Sequence, residues 1–532
     1  MAENTLNILR DPLIRISTSR GSTVRASLPA VYAALMRDEV ESFPALRPHQ
    51  RHAWHAFLAQ LGAAAMQCAG LSDPSDSAEE WRRMLRELTS NFPDDEPWHL
   101  VVDDITKPAF MQPPARSDDK LREYKTPVLT PDSLDMLVLS KNHDIKSAVA
   151  AQADLDDWIF ALITLQTMEG FSGAGNYGIS RMNGGLGSRA AFSLTPSTRP
   201  GVHLRRDLKG LSERYESLLA DYSMSDFGVA LLWMLPWDGT KSEALLPDRL
   251  HPYYIEICRR IRLRVSAGSE MYGLRTSSKA ARVEAKSLNG MTGDPWMPIN
   301  RKESKALTLA GGGFTYRRVT EYLTSANWEQ PALLQPVRSE RETSGPVLLL
   351  ARALVRGQGK TEGYYERIIP ISHKAKRALM QRESMNELGR IAQSRIENIG
   401  TVQRILSHAI QVFAARGDSR NLSPEHRNLA RPWLNRLDEF VDARFFDDLQ
   451  VEFESDDRDE RSRIRKEWLL DGESGIVNRA RRILGEAEEG LPCLAIHRYR
   501  ARANAESLFE GRIRGPQGLA FLFADTEQGD KK

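Results

Sequence analysis

The stretch "VRGQGKTEGYYER", residues 355–367, decides between two folds. Its Gly359-Lys360-Thr361 matches the tail of a phosphate-binding loop, which in an α/β ATPase leads from a strand into a helix. The full pattern G-x-x-x-x-G-K-[ST] needs its first glycine, which starts the turn that wraps backbone N–H groups around the phosphates. Here that position is Leu354. The continuation "EGYYERIIPI" is rich in aromatic and β-branched residues, which favour a strand over a helix. Strand, glycine-rich turn, strand is a β-hairpin, with Gln358 and Lys360 at its tip. Taken alone, a plain surface turn is the simplest role for such a hairpin.

Outward from the hairpin, the chain changes character near Pro370. Residues before it alternate short apolar runs with glycine- and proline-rich punctuation. Their pattern predicts helices at about 46–70 ("LRPHQRHAWHAFLAQLGAAAMQCAG") and 153–168, and strands near 346–356 and 364–371. This predicts an irregular, mixed α+β domain over residues 1–372. From about 374, apolar residues recur every three to four positions, and about three more such helices follow, split by "GDSRNLSPEH", "ESDDRD" and "EEGLP". Each amphipathic stripe needs neighbours to cover it, so residues 373–532 are predicted to form an antiparallel helical (four-helix) bundle. No repeat with a period of 20–50 residues is evident.

The totals exclude several classes. A chain of 532 residues exceeds one compact core, since domains run to roughly 100–200 residues. Lys plus Arg total 73 against 71 Asp plus Glu, so any polyanion-binding surface has to be local. Cys68, Cys258 and Cys493 are far apart and odd in number, which argues against a disulfide framework and points to reducing cytosol. Arg10, Asp11 and Arg15 interrupt what a signal peptide needs as an unbroken apolar core, and no window of 18 uncharged apolar residues exists. The expectation is a cytoplasmic protein with no membrane association.

Three further stretches carry possible chemistry. "MEGFSGAGNYGISRMNGGLGSRAAF" (168–192) is dense in glycine, which permits positive φ and close approach of backbone to a ligand; a long ordered connector is the bland alternative. Residues 259–286 hold eight Lys or Arg against Glu270 and Glu284, the strongest local footprint for phosphate backbone, with a solvated strand pair as the alternative. His143-Asp144 suggests an HD-type phosphohydrolase, but the other histidines lack the spacing to complete a metal site. The charge-mixed "ESDDRDERSRIRKEW" (454–468) reads as a solvated helix face.

Together these stretches resemble the CasA family, the large subunit of the type I-E CRISPR surveillance complex Cascade. The likeness spans nearly the whole chain: "LNILRDPLIRI" (6–16), "KPAFMQP" (107–113), "EGFSGAGN" (169–176), "TGDPWMP" (292–298), "RGQGKTEGYYER" (356–367) and the helical C-terminal region, in that order. The resemblance implies a subunit that is not an enzyme. It implies recognition of a protospacer-adjacent motif in double-stranded DNA, support of strand opening and recruitment of a helicase-nuclease, while the guide RNA reads the long sequence. The implied partners are the other Cascade subunits, the CRISPR guide RNA, the target duplex and that helicase-nuclease.

Position by position, the resemblance places a groove-approaching glycine loop at Gly170, Phe171, Ser172 and Gly173, with Ser172 where the family commonly has glycine. It places a lysine finger at Lys286, next to Lys279 and Arg282, and a wedge at Gln358 with Lys360 beside it. The segment at Lys141, Asn142 and His143 resembles the loop that docks near the 5′ handle of the guide RNA. Some relatives carry zinc-binding cysteine pairs; this sequence lacks them, so neither metal nor cofactor is expected. The alternatives are a P-loop-like ATPase, an HD-type phosphohydrolase, or a scaffold whose bundle contacts neighbours through Arg395, Arg404 or Lys466.

Overall fold

The computed structural model describes residues 6–138, 153–184, 187–342, 345, 347–357 and 360–523. It is an α+β protein that divides into two compact units. One comprises residues Met1–Phe314 with Ala326–Pro370; the other comprises Thr315–Ser325 with Ile371–Lys532.

Apart from the last two, the strands are short, with six residues or fewer. In chain order they are β1 (Ile14–Thr18), β2 (Thr23–Ala26), β3 (Val40–Ser42), β4 (Thr126–Val128), β5 (Ala191–Thr195), β6 (Val229–Leu231) and β7 (Leu250–Ile255). β8 (Arg260–Val265), β9 (Met271–Thr276), β10 (Ile299–Asn300), β11 (Lys305–Ala306), β12 (Trp328–Glu329), β13 (Val347–Gly357) and β14 (Lys360–Ile371) follow. They form small sheets ordered β2-β1-β3, β4-β9-β8, β11-β10-β12, β14-β13-β5 and the parallel pair β6-β7. Helices α1 (Leu28–Met36), α2 (Arg51–Cys68), α3 (Ala78–Glu87), α4 (Leu155–Met168) and α5 (Pro200–Tyr222) pack among them. α2 is buried on nearly every face, as its run of alanine, leucine and aromatic residues dictates. Trp81, Trp98, Trp158, Trp233, Trp237 and Trp296 are all fully buried in this unit.

The expected helices at 46–70 and 153–168 are α2, preceded by one 3-10 turn at 48–50, and α4. The expected hairpin is β13-β14. Neighbouring strands joined by two residues must run antiparallel, and Arg352 Nε donates to Glu366 Oε1 across them at 2.8 Å. Because Lys360 opens a strand, the Gly-Lys-Thr lacks the helix a phosphate-binding loop requires.

In the second unit, α6 (Tyr316–Thr324) packs on the helices that follow the hairpin; α7 (Arg338–Glu342) belongs to the first unit. The following helices are α8 (His373–Ala378), α9 (Arg382–Ala414), α10 (Pro424–Asp442), α11 (Phe445–Glu454), α12 (Arg458–Leu470), α13 (Ile476–Gly490) and α14 (Ala495–Arg514). α9 is the hub. At 1.5 Å per residue its 33 residues span about 50 Å, and its buried positions recur at three- and four-residue steps from Met385 to Phe413. It touches α6, α8, α10, α11, α13 and α14. Among the described residues five helices follow it rather than about three. The additional breaks fall at Ala443–Arg444, where no glycine or proline marks the turn, and at "DGESG" (471–475), where Gly472 takes a positive φ.

Arg395 is fully buried, so it cannot contact a partner as the sequence suggested. Its Nε donates to Glu452 Oε2 at 2.7 Å, and the guanidinium lies 4.2 Å from the ring centre of Trp468. Glu452 also accepts from Arg465. Removing one member of a buried pair strands the other, at a cost of about 3 kcal/mol. Arg395→Ala is therefore expected to shift denaturant unfolding of the helical unit by that amount, followed by tryptophan fluorescence. An unchanged midpoint would mean that Glu452 is satisfied by Arg465 alone.

Candidate nucleic-acid interface

The glycine-rich stretch leaves α4 and closes on itself at its base. Glu169 and Ser188 form a bridge, Gly170 N donates to Gly187 O at 2.9 Å, and Arg189 N donates to Met168 O at 3.0 Å. Within the loop, Ser172 N donates to Asn176 O and Asn176 N to Gly173 O, a tight turn in which Gly173 has φ +94°. Arg259 holds the turn from below, donating to the carbonyls of Tyr177 and Gly170 and to Glu169 Oε2.

Two glycines differ in what surrounds them. A Cβ on Gly178 would sit 2.5 Å from Gly170 C and Phe171 N, so this glycine permits backbone-on-backbone packing. A Cβ on Gly173 would meet nothing within 4 Å. The loop is thus packed at its base and open at its turn.

Lys286 is exposed at the start of a 3-10 turn, Lys286–Leu288. It lines an open groove of about 660 Å³ whose other walls include Phe171, Tyr177, Asn183, Lys241 and Lys279. The glycine loop and Lys286 therefore face one space. The hairpin is tied to the same loop: Ser188 N donates to Leu354 O at 3.0 Å, and Leu354 N donates to Ser188 Oγ at 2.7 Å. Lys360 is described by its backbone at the start of β14. Gln358 lies outside the described residues, as do Lys141, Asn142 and His143 with the His143-Asp144 pair.

The basic stretch 259–286 exposes less charge than its count of basic residues predicted. Arg260, Arg262 and Arg282 are buried, and their guanidinium groups bond to backbone carbonyls: Arg260 to Ser277, Arg262 to Val102, Asp104 and Lys107, and Arg282 to Leu235 and Glu243. Burial pushes Arg262 and Arg282 down to about 10. Only Arg275, Lys279 and Lys286 of the eight are exposed. Arg282 is thereby removed as a candidate finger.

The model of the family described as CRISPR-associated protein Cse1 matches residues 7–469. The chain belongs to the CasA/Cse1 family. Its fold is similar to that of CasA from Thermus thermophilus, with a TM-score of 0.62 at 15% identity over 96% of this chain and 99% of that one. It is also similar to Cse1 from Acidimicrobium ferrooxidans, with a TM-score of 0.59 at 14% identity over 96% and 98% of the two chains. Thermobifida fusca Cse1 aligns with a TM-score of 0.54 at 13% identity over 95% and 98%. No curated protein matches by sequence. Among the described residues of this CasA/Cse1 chain, no helix is long and apolar enough to cross a membrane.

Sequence reasoning missed two groups that support the site. Glu256, buried beneath the groove wall, accepts from Ser180 N at 2.7 and 2.9 Å and from Ser180 Oγ at 2.8 Å, fixing the outgoing arm of the loop. Burial pushes its carboxyl up to about 7, against those hydrogen bonds. The second group is His55, His203 and Asp207, which meet within ligand distance of one another. The two imidazoles stack at 3.7 Å and 13°, and Asp207 also accepts from Trp296 Nε1 and Arg206. Parallel rings direct their lone pairs side by side rather than towards a shared ion, so the cluster reads as a hydrogen-bond network centred on Asp207.

Two outcomes follow from this geometry. Gly178→Ala is expected to displace the loop even where the fold survives, while Gly173→Ala costs only the backbone strain of its φ, of order 1–3 kcal/mol. Solution spectra of the loop amides would separate the two; equal perturbation by both would refute the packed-base, open-turn description. For Glu256, the folded value lies above the unfolded value of about 4.3, so the native state holds the proton longer. Its contribution is fully present below pH 4.3 and is lost, by about 1.4 kcal/mol per pH unit, as pH rises towards 7. Glu256→Gln removes this dependence, and melting curves of the two proteins should diverge in the variant's favour across that window. Parallel curves would show that Glu256 titrates normally.

Proposed function

We propose that this chain is the large, non-catalytic subunit of an RNA-guided Cascade complex, and that it reads a protospacer-adjacent motif in double-stranded DNA. The observation that carries the reading is the shared groove: the arms of the glycine loop, through Phe171 and Tyr177, line one open space with Lys286, and the base of that loop is hydrogen-bonded to the strand leading into the hairpin. An open backbone turn, a cation and a two-strand projection make up what is needed to approach, read and pry a duplex. In this reading Gly170–Gly173, of which Phe171 lines the groove, approach the groove of the DNA, Lys286 reaches base-edge acceptors, and Gln358, with Lys360 beside it, wedges under the motif.

The remaining parts follow from the same reading. Lys141, Asn142 and His143 dock the subunit near the guide RNA and the neighbouring Cascade subunits, a helicase-nuclease is recruited once the target is bound, and the complex is cytoplasmic. The helical unit acts as an antiparallel four-helix bundle of α9, α10, α13 and α14, a reading supported by the packing of α9 on each of the other three. An ATPase reading has no support where Lys360 and Thr361 open a strand and Leu354 stands in the place of the first glycine.

A wedge acts on opening, so its loss should be felt most where opening is hardest. Unstacking a base step costs a few kcal/mol, which a polar side chain offsets by occupying the gap. Gln358→Ala is expected to slow strand separation on a fully paired target and to recover on a duplex with mismatches placed beside the motif. Equal impairment on both would assign Gln358 to initial binding; no impairment on either would make the hairpin a surface turn. In the same assay Lys286→Ala should reduce motif discrimination by about 1–3 kcal/mol.

A further inference from the structure

The groove holds more charge than one finger uses. Lys241, Lys279 and Lys286 all line it and are all exposed, and among the described residues none of the three is in an ion pair. The lining carries one carboxylate, Glu284. Most arginines of the same region are engaged by internal carbonyls or by carboxylates, as Arg116 is by Glu243 and Arg259 by Glu169, and the exposed Arg275 does not line the groove. The three ammonium groups are the cations left facing the open space.

The backbone beneath them is fixed. Lys279 N and Ala280 N both donate to Gly239 O, at 2.7 and 3.1 Å, which binds the segment carrying Lys279 to the one carrying Lys241. Gly239, at φ +78°, is pressed so closely on Ser278 that a Cβ would lie 2.9 Å from Ser278 Cα. One step on, Leu245 N donates to Arg282 O and Glu284 N to Leu245 O, a short parallel bridge between the same two segments. The buried Arg282 guanidinium closes the unit by bonding Glu243 O and Leu235 O beside Trp237. The lysine side chains remain mobile in solvent, but their anchor points are set before any ligand arrives.

We infer that Lys241 and Lys279 form a phosphate-binding rim that holds the sugar–phosphate backbone of the duplex while Lys286 alone takes part in reading the motif. The inference rests on the DNA-reading function proposed above. A compact ammonium on a flexible stem is suited to a phosphate oxygen as a point charge, and a pair of them on one rigid ledge matches a strand of regularly spaced charges. Phosphate contacts position a duplex without carrying sequence information, so the rim and the finger have separable signatures.

The test titrates the full chain, alone and assembled with its guide-bearing partners, with a duplex carrying the motif and with the same duplex scrambled at the motif, between about 50 and 200 mM salt. Each phosphate contact adds about 0.9 to the salt slope, so losing one lysine should shrink the affinity ratio across that range by about threefold. Lys241→Ala and Lys279→Ala are each expected to do so, to weaken both duplexes equally and to leave their ratio unchanged; Lys279→Arg should restore the slope. Glu284→Gln should tighten both duplexes. An unchanged slope in both alanine variants, with wild-type discrimination intact, overturns the rim and leaves the DNA-reading function standing. A change in motif ratio in either variant overturns it too, by making that lysine a reader. A wild-type complex that binds neither duplex above background removes the function and the rim together, and binding of an acidic protein surface in its place would be the conclusion.

Discussion

An irregular domain whose sheets have two or three strands each leaves many backbone carbonyls outside any ladder, and a buried carbonyl without a donor is costly. In this chain the missing donors are buried guanidinium groups. Arg262 reaches three carbonyls of the 102–107 loop, Arg206 reaches Leu333 O and Gln335 O, Arg181 reaches Pro252 O and Tyr254 O, and Arg282 reaches Leu235 O and Glu243 O. Each fork joins segments tens of residues apart. Gln112 works the same way with an amide, donating to Leu100 O and Phe110 O while accepting from Leu263 N. Such clamps replace the regular hydrogen-bond ladder that long strands would have supplied.

The site inherits its form from these clamps. Arg259 grips the glycine loop by the carbonyls of Gly170 and Tyr177, and Arg189 grips its outgoing end through a bidentate pair with Asp294, whose other bond goes to Trp296 N. The loop is thus held at Gly170, Tyr177 and Arg189, and Gly175 abuts Ser277. Between them the turn is closed by its own backbone hydrogen bonds, and Gly173 is the position with open space where a Cβ would stand. A loop that is rigid at both ends and empty at its middle presents backbone to a ligand without having to be ordered first.

Much of this was readable in the sequence, where the signal was local. Leu354 in place of glycine, together with the aromatic and β-branched run after Thr361, was enough to prefer a hairpin, and the strands are there. The apolar run at 51–68 and the three-to-four periodicity after 381 gave α2 and α9. Local signal also failed where it was weak: the helix break at Ala443–Arg444 carries no glycine or proline, and α6, a short helix at 316–324, belongs with a unit that begins some fifty residues later. The motifs that carried the family resemblance turn out to be clamp residues, Gln112 in "KPAFMQP" and Asp294 in "TGDPWMP". Their partners lie on other segments, so no spacing within one sequence could name them.

The same distance effect explains why the basic stretch misled while single positions within it did not. Counting charges treats arginine and lysine alike, but the two differ in what burial asks of them. A guanidinium is weakly hydrated and presents five donors in a plane, so it can enter a loop-rich interior and satisfy several carbonyls at once; an ammonium is strongly hydrated and stays where water is. Residues 259–286 sort accordingly. Arg260, Arg262 and Arg282 are inside, Arg259 is half-buried beneath the loop, and Lys279 and Lys286 stand in solvent on the groove. In a domain short of sheet ladders, some of the arginine count answers the demand for internal donors, so the charge that this stretch offers a polyanion is smaller than its basic residues suggest, and what lines the groove is lysine.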